Sequence, residues 1–216
     1  MNPFYILLII FSSALVPYLL GSIDFAIIVC KIVAGKDIRD CGSGNAGLTN
    51  VLRVFGKGPA LATLAGDFSK AVLGVLFARL MFSLWLPTTQ FDGAYIGGLF
   101  VLLGHIFPLY YHFKGGKGVL TCAGIALVVN PLAFLFGFSC FVLIVLLTRY
   151  VSLGSIVSIT VFAVSVGVIN LLTNRPVLLE TGLAVLFAAI VIFMHRANIK
   201  RLLNGTENKL RFGAKR

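Results

Sequence analysis

The stretch Phe113-Lys114-Gly115-Gly116-Lys117-Gly118 lies between two apolar runs, and with the second of these runs it decides the fold. Glycine reaches backbone angles that are closed to other residues, so successive N–H groups can turn toward one point. We expect this lysine-glycine loop to bind an anion, with a helix beginning directly after it. It is not a Walker A loop, because Gly118 stands where Ser or Thr is required. Taken alone, the stretch is also compatible with a flexible basic turn between membrane helices.

The apolar run after the lysine-glycine loop, Val119–Leu147, is broken only at Asn130-Pro131. Because proline ends or kinks a helix, we expect two spans here, each roughly 20 Å long against a bilayer core of about 30 Å. If the run were one continuous helix, the C-terminal tail would lie on the other side of the membrane.

Composition makes this an integral membrane protein. Of its 216 residues, 59% are hydrophobic and only 12% are charged, and the mean hydropathy is +1.02. Soluble domains are about 45–50% apolar and about 25% charged. At roughly 20 residues a span, the chain has room for about six to eight spans and little else. We therefore expect a single membrane domain over residues 1–216, and no nucleic-acid motif accompanies the net charge of +11.

The rest of the chain supplies five more spans, so the predicted fold is an all-α integral membrane protein with seven transmembrane helices. The predicted segments, in order, are span 1 (about Phe4–Ile23), a short helical piece (Phe25–Val33), a polar segment (37–58), span 2 (about Pro59–Phe82), a loop (86–91), span 3 (about Gly93–Tyr111), span 6 (about Val151–Leu172), a loop (Thr173–Pro176), span 7 (about Val177–Met194) and a basic tail (His195–Arg216).

The distribution of Lys and Arg predicts the orientation. With seven spans, one face carries fifteen of the 18 basic residues, the other carries only Arg79 and Arg175, and Lys70 lies inside span 2. Cytoplasmic loops are enriched in Lys and Arg, so we expect the N-terminus outside and the C-terminus cytoplasmic. One helix over Val119–Leu147 would move the basic tail to the other face, so the charge distribution favours two.

A second polar segment reads Gly-Ser-Gly-Asn-Ala-Gly-Leu-Thr-Asn-Val-Leu-Arg over residues 42–53. Its glycines predict a tightly folded loop, and an arginine offers a two-pronged donor for an anion. We interpret it as a substrate cradle rather than a plain interfacial turn. The candidate substrate-binding side chains are those of Ser43, Asn45, Thr49, Asn50 and Arg53.

A third polar segment follows span 7, where helical spacing would place His195 and Asn198 on one face. Inside span 2, Asp67 and Lys70 are spaced for an ion pair that braces the bundle, which we favour over a catalytic role. Asp24, at the end of span 1, is interpreted as reaching the membrane interface. A role for His105, late in span 3, stays open at this point.

Three stretches carry a resemblance to a known family. They are Gly42–Arg53, Gly104-His105-Ile106-Phe107-Pro108 with Phe113–Val119, and His195–Glu207. They resemble the three signature motifs of the bacterial acyl-phosphate-dependent glycerol-3-phosphate acyltransferases, the PlsY type. The resemblance runs from Leu20 to the tail.

The resemblance implies a seven-helix enzyme of the bacterial cytoplasmic (inner) membrane, with its active site on the cytoplasmic face. It implies transfer of a fatty acyl group from acyl phosphate to the 1-hydroxyl of glycerol 3-phosphate, giving lysophosphatidic acid and phosphate. The expected partners are these two substrates and the lipid bilayer. Neither a cofactor nor a metal is expected, and the protein is expected to be a monomer.

Residue roles follow from the same resemblance. Ser43 and Arg53 match positions tied to the phosphate of glycerol 3-phosphate, and His105 belongs to the substrate site. The phosphate-binding motif matches Lys114, Gly115, Gly116, Lys117 and Gly118. His195 and Asn198, with Lys117, are the candidate catalytic residues, and Glu207 is expected to tie the tail to a basic partner. Leu48, where the family usually has a small residue, and Asp24, where proline is frequent, leave substrate specificity open.

Two other classes of function compete with this one. A small transporter for a phosphorylated solute would also need several spans and anion-binding groups. Transport requires a pathway open to both faces, whereas the predicted outer loops are short and nearly free of polar clusters. A purely structural lipid-binding protein does not account for three long polar segments.

Overall fold

The computed structural model describes residues 2–175 and 177–210, and every regular element in this part of the chain is helical. Position 176 of the predicted loop Thr173–Pro176, and residues 211–216 of the predicted tail, lie outside the described residues. The helices are α1 (Pro3–Gly21), α2 (Phe25–Ala34), α3 (Leu48–Phe55), α4 (Lys57–Trp85), α5 (Ala94–Ile106), α6 (Val119–Val129), α7 (Pro131–Thr148), α8 (Val151–Leu172), α9 (Val177–Met194) and α10 (Arg196–Leu203). Single 3-10 turns form at Ile38–Asp40 and Leu109–Tyr111.

Six segments of the described chain are long and apolar enough to cross a membrane. They are Pro3–Ala34, Lys57–Trp85, Ala94–Tyr111, Pro131–Thr148, Val151–Leu172 and Val177–Met194, while Val119–Val129 is apolar but shorter. Large apolar side chains such as Leu76, Leu146 and Leu178 point outward. A bilayer core offers no hydrogen-bond partners, so a spanning segment must satisfy its backbone groups internally, as an α-helix does. The apolar outward-facing side chains suit contact with lipid. The all-helical membrane fold is thus confirmed, and the count of seven crossings stays a prediction.

The helix break at Asn130-Pro131 is confirmed. The α6 helix ends at Val129 and α7 begins at Pro131, with the side chain of Asn130 accepting a hydrogen bond from the Ala133 N–H at 3.0 Å. The two helices are unequal, however, since α6 has 11 residues and α7 has 18. At 1.5 Å per residue they are about 16 Å and about 27 Å long, so the expectation of roughly 20 Å for each was wrong.

The first compact unit comprises Met1–Val129. Within it α1 packs against α4 and α5, which also pack against each other. Glycine makes the contact between α1 and α5 close: a Cβ at Gly21 would meet the Val101 carbonyl, and one at Gly104 would meet the Tyr18 carbonyl. Small residues at helix crossings allow such backbone approach in membranes. The crossing holds the C-terminal end of α5, and with it His105, against α1.

One prediction for this unit needs correction. Asp24 does not reach the interface: it is fully buried, and its side chain caps α2 by accepting from the Ile27 N–H at 3.1 Å. The predicted span Gly93–Tyr111 agrees with the membrane-length segment Ala94–Tyr111, but the α-helix within it ends at Ile106. Pro108 explains the early end, because proline lacks an N–H and disfavours helical geometry in the residue before it.

The second compact unit comprises Asn130–Arg216. Here α8 packs against both α7 and α9, and α10 contacts α8 and α9. The Asn170 side chain, near the end of α8, donates to the buried Glu180 carboxylate at 3.2 Å. This polar contact joins α8 to α9 where a chain reversal connects them. Whether the whole chain forms one functional domain stays a prediction.

Candidate active site

Asn50 holds the first polar segment together. Its Oδ1 accepts from the Ser43 N–H at 3.0 Å, and its Nδ2 donates to the carbonyls of Cys41 at 2.9 Å, Asn45 at 3.1 Å and Ile38 at 3.3 Å. The side chain is buried at the start of α3. The structure therefore gives Asn50 a task that the sequence did not suggest: its amide shapes the loop, and its N–H donors are taken.

The residues around Asn50 form a tight turn, which we call the glycine loop (residues 42–47). Gly42 and Gly44 have φ values of +58° and +72°, a region that favours glycine. A Cβ at Gly42 would also meet the Asn50 side chain. Leu48, which the resemblance marked as larger than expected, is partly buried against an apolar cluster that includes Ile27, so its side chain is accommodated by packing.

The other polar side chains of this segment are free to meet a ligand. Ser43 and Arg53 are exposed, and Asn45 and Thr49 are half-buried. No side-chain hydrogen bond or ion pair ties any of these four to another residue in 2–175 or 177–210. Thr49 and Arg53 are four residues apart on α3 and so share a face. This face offers a hydroxyl and a guanidinium beside the glycine loop.

The lysine-glycine loop differs from the predicted anion nest. The Gly115 N–H donates to the Ile106 carbonyl at 3.1 Å, and the Gly116 N–H donates to the His105 carbonyl at 3.2 Å. These bonds satisfy carbonyls at the C-terminal end of α5 that have no partner within the helix. The expectation that these two N–H groups converge on an anion was therefore wrong.

Backbone donors suited to an anion lie one step further along the chain. Gly118, with φ +82°, turns the backbone into α6, which begins at Val119. The first N–H groups of a helix have no acceptor within it, and the helix dipole favours negative charge there. Lys114 is exposed and Lys117 half-buried on the approach to this helix end. The predicted helix start after the loop is confirmed.

The two loops touch each other. A Cβ at Gly116 would meet both the Ala46 carbonyl of the glycine loop and Nε2 of His105. A Cβ at Gly115 would meet the His105 carbonyl. Neither glycine has a positive φ, so glycine is required here by close packing and not by backbone conformation. The structure thereby brings the first and second motifs together in one unit.

Arg39, which sequence reasoning did not single out, fastens the lysine-glycine loop. Its Nη1 donates to the carbonyls of Tyr111 at 3.0 Å and Lys114 at 3.1 Å, while its Nε and Nη2 bind the Asp37 carboxylate at 3.0 and 2.8 Å. These hydrogen bonds from Arg39 hold the pKa of Asp37 below its ordinary value. An Asp and an Arg two residues apart were a weak signal, because their loop partners are some 70 residues away in sequence.

Beneath Gly116 lies a buried polar network of Asp67, Lys70 and His105. The predicted ion pair is present, with Lys70 Nζ 2.7 Å from Asp67 Oδ1, and both side chains are nearly inaccessible to solvent. Lys70 Nζ also lies 3.1 Å from Nδ1 of His105. The pair therefore does more than brace a helix, since it contacts the histidine under the lysine-glycine loop.

The third motif lies in the second unit, at the junction of α9 and α10. Nδ1 of His195 lies 2.8 Å from the Val191 carbonyl, to which it must donate because a carbonyl only accepts. Asn198 and His195 are three residues apart, as predicted, and both are buried. A histidine protonated at Nδ1 keeps Nε2 as its basic nitrogen.

Glu207 folds the end of the chain onto this motif. It accepts from Asn198 Nδ2 and Arg201 Nε at 2.7 Å each, and from Ser152 Oγ at 2.9 Å. Burial raises the pKa of the Glu207 carboxyl, but these hydrogen bonds outweigh burial and the pKa lies below its ordinary value. The predicted contact with a basic partner is present, and Ser152 on α8 is a partner that the sequence did not reveal.

Comparison with known proteins agrees with the motifs. The sequence model of the family described as glycerol-3-phosphate acyltransferase matches residues 11–205. A glycerol-3-phosphate acyltransferase of Clostridioides difficile (strain 630) is 45% identical over 91% of this chain and 93% of its own length.

Two solved structures also resemble the fold. They are the glycerol 3-phosphate form and the lysophosphatidic acid form of PlsY (YgiH), an integral membrane glycerol 3-phosphate acyltransferase. The first is 35% identical, with a TM-score of 0.81, and covers 94% of this chain and 96% of its own. The second is 34% identical, with a TM-score of 0.76, covering 94% and 95%. On the family match and the curated relative together, this chain belongs to the glycerol-3-phosphate acyltransferase family.

Proposed function

We propose that this protein transfers a fatty acyl group from acyl phosphate to the 1-hydroxyl of glycerol 3-phosphate. The observation that carries the proposal is the family match over residues 11–205, which covers the first two polar motifs and most of the third. It favours an enzyme over a transporter or a structural lipid-binding protein. The product, lysophosphatidic acid, makes the reaction an early step of phospholipid synthesis.

The chemistry needs binding groups more than a covalent nucleophile. The hydroxyl oxygen attacks the acyl carbon, the bond from that carbon to the phosphate oxygen breaks, and phosphate leaves with the displaced electron pair. The proton of the hydroxyl group ends on the released phosphate. Because phosphate is already a good leaving group, the protein must hold two anions in line and stabilise the charge of the tetrahedral intermediate.

The loops of the first unit suit this task. Ser43, exposed in the glycine loop, and Arg53, exposed beside it, would bind the phosphate of glycerol 3-phosphate, with Thr49 and Asn45 as further donors. Lys114, Lys117 and the first N–H groups of α6 would bind the phosphate of the acyl donor. Gly115 and Gly116 contribute by letting the two loops approach. Asn50 contributes through the shape of the glycine loop.

In the second unit, His195 and Asn198 are the proposed residues for substrate orientation and proton handling. The bond from His195 Nδ1 to the Val191 carbonyl would fix the orientation of the imidazole ring. The bond from Asn198 to Glu207 at 2.7 Å would fix the orientation of the amide. Glu207 is proposed to act structurally.

We also propose the finer setting of this enzyme. It would be a monomer with a single functional domain, seven spans, an external N-terminus and a cytoplasmic C-terminus, in the bacterial inner membrane. The active site would face the cytoplasm. The concentration of Lys and Arg on one predicted face supports this orientation, and the acyl chain would enter from the bilayer.

Purified protein in detergent should form lysophosphatidic acid when given acyl phosphate and glycerol 3-phosphate. Acyl-CoA in place of acyl phosphate should give no product, because the proposed donor site binds a phosphate at a helix end. Product formed with acyl-CoA and not with acyl phosphate would overturn the choice of donor. No product with either donor, from protein that is monodisperse and helical, would overturn the proposed activity.

A further inference from the structure

The Lys70 ammonium has as many acceptors around it as it has protons. An ammonium carries three N–H donors and no acceptor. Lys70 Nζ donates to the Ile23 carbonyl, lies 2.7 Å from Asp67 Oδ1 and lies 3.1 Å from Nδ1 of His105. The Lys70 and Asp67 side chains are only 3% and 1% exposed. Each proton of the buried ammonium therefore has one protein acceptor, and His105 is one of them.

This geometry decides which nitrogen of His105 carries a proton. If Nδ1 were protonated, it and Lys70 Nζ would be two donors facing each other at 3.1 Å. Asp67 Oδ1 cannot relieve that conflict, since it lies 3.9 Å from Nδ1, beyond hydrogen-bond distance. Nδ1 must accept from Lys70, and a neutral imidazole that accepts at Nδ1 carries its proton on Nε2.

The Nε2–H group points at the lysine-glycine loop. A Cβ added to Gly116 would contact Nε2, so this nitrogen lies against the backbone of the loop. The His105 side chain is 4% exposed, and Nε2 has no hydrogen-bond partner in residues 2–175 and 177–210. The arrangement is that of a donor kept ready for a ligand oxygen.

We propose that Asp67 and Lys70 are positioning residues that hold His105 as the Nε2–H tautomer, which donates to a phosphate oxygen of a bound substrate. The inference rests on the proposed function, because it is that function which brings a phosphate to the lysine-glycine loop. Either the acyl phosphate or glycerol 3-phosphate could supply the oxygen. Asp67 anchors the ammonium, Lys70 sets the tautomer, and His105 alone touches the substrate.

The tautomer can be measured without turnover. The chain has three histidines, so protein labelled with 15N-histidine gives few signals, and the His105 pair is identified by its loss in His105→Gln. We expect a bare Nδ1 and a protonated Nε2, with the Nε2 signal shifting on addition of glycerol 3-phosphate or of a non-hydrolysable acyl phosphonate. A protonated Nδ1, or an Nε2 signal that neither ligand shifts, would overturn the proposal.

Two substitutions of His105 distinguish a hydrogen-bond donor to the substrate from a purely structural residue, or brace. His105→Asn can still accept from Lys70 near the Nδ1 position but has no donor near Nε2. His105→Gln can place an amide N–H near the Nε2 position. Loss of a hydrogen bond to a charged group predicts turnover in His105→Asn lower by about tenfold to 150-fold, with His105→Gln the more active of the two. If His105→Asn equals or exceeds His105→Gln, the residue is a brace and the proposal fails.

Lys70→Met tests the positioning role, and Lys57→Met is its matched control because Lys57 is an exposed lysine on the same helix. Since Lys70→Met alone leaves Asp67 buried and unpaired, the double variant Asp67→Asn/Lys70→Met removes both charges together. We expect the double variant to fold and to lose the signal of a single His105 tautomer. We also expect the KM of either acyl phosphate or glycerol 3-phosphate to rise, and the substrate affected is the one whose phosphate His105 binds. A wild-type tautomer signal in the double variant would overturn the role of Lys70.

The two levels of proposal fail in different ways. An inactive wild-type protein whose His105 signals show the expected tautomer and respond to a phosphate ligand would remove the proposed acyl transfer but keep the positioning role. An active wild-type protein with a protonated Nδ1 at His105 would do the reverse.

Discussion

Asn50 and Arg53 lie three residues apart on α3 and have different environments. Asn50 is 2% exposed, and its side-chain amide is hydrogen-bonded to the backbone in and next to the glycine loop. Arg53 is exposed and shares a helix face with Thr49, at the side of α3 that the apolar cluster leaves uncovered. Its guanidinium has no partner in the described ranges 2–175 and 177–210, and beside a glycine-rich turn it is suited to bind phosphate with two parallel hydrogen bonds.

Arg53→Ala should raise the KM for glycerol 3-phosphate by about tenfold to 150-fold, the effect of losing a hydrogen bond to a charged group of about 1.5–3 kcal/mol. Arg53→Lys should restore only part of the loss, because a lysine cannot form the two-pronged contact. Steady-state kinetics with both substrates varied measures this. Lys36→Ala, an exposed basic residue outside the motifs, is the control, and wild-type kinetics in Arg53→Ala would remove Arg53 from the site.

Gly116 and Gly58 give a matched pair of Gly→Ala substitutions within one unit. A Cβ at Gly116 would meet the Ala46 carbonyl and the His105 ring, whereas nothing lies within 4 Å of one at Gly58. Gly116→Ala should therefore separate the two loops, costing about 1–3 kcal/mol as overpacking does, and lower turnover. Gly58→Ala, in the first turn of α4, should leave activity unchanged and slightly favour the helix. Turnover and melting temperature in detergent check both, and a fully active Gly116→Ala enzyme would contradict the loop contact.

At the scale of elements, α10 depends on Glu207 for its place. The helix has eight residues, too few to be stable alone in water. Glu207 connects Asn198 and Arg201 on α10 to Ser152 on α8. The Leu210 N–H adds a bond to the Arg149 carbonyl at 2.7 Å. The third motif is thereby positioned by residues beyond the helix that carries it.

The lowered pKa of Glu207 gives this docking a pH dependence. A carboxyl whose pKa is lower in the folded state contributes its full stability above the ordinary value of 4.5, and loses it as the pH falls through the folded pKa. Glu207→Gln should lower stability by about 1–3 kcal/mol at pH 7. It should also flatten that part of the stability curve which falls below pH 4.5. Helical circular dichroism during heating, at several pH values, compares variant and wild type. Parallel curves of stability against pH for the variant and the wild type would contradict a lowered pKa of Glu207.

Local patterns predicted some elements well, and contacts distant in sequence account for the failures. The Asn130-Pro131 break and the Asp67–Lys70 pair depend on neighbours a few residues away. The direction of the Gly115 and Gly116 N–H groups depends on where α5 ends, and the task of Arg39 depends on carbonyls of the lysine-glycine loop. The prediction for Asp24 was wrong because an aspartate after an apolar run is typical of a membrane interface. Its burial depends on how the helices pack, which the local sequence does not show.

At the scale of the whole molecule, the number of crossings depends on α6. The α6 helix is about 16 Å long, about half of a bilayer core. Even so, its two ends lie near the two opposite ends of α5. It begins at the lysine-glycine loop, which adjoins the end of α5. Near its other end the Val128 carbonyl accepts from Arg79 at 2.8 Å, and Arg79 is paired with Asp92 just before α5 begins. The α6 helix therefore runs the length of α5, and this supports counting it as a crossing.

Thiol labelling in intact cells tests the count. The four native cysteines, Cys30, Cys41, Cys122 and Cys140, are first replaced, and single cysteines are then placed at four exposed positions. If α6 and α7 each cross the membrane, cysteines at Thr88 and Thr173 should react with an impermeant reagent from outside, and those at Lys57 and Thr206 should react only after lysis.

The two arrangements differ at only two of these sites, which makes the experiment its own control. If α6 and α7 together made one crossing, everything after α7 would change sides: Thr206 would label from outside and Thr173 would not, while Thr88 and Lys57 would keep their pattern. That arrangement would move the basic tail outside, against the tendency of Lys and Arg to remain in the cytoplasm. We therefore expect external labelling at Thr173, and its absence there together with labelling at Thr206 would overturn both the seven crossings and the proposed cytoplasmic site.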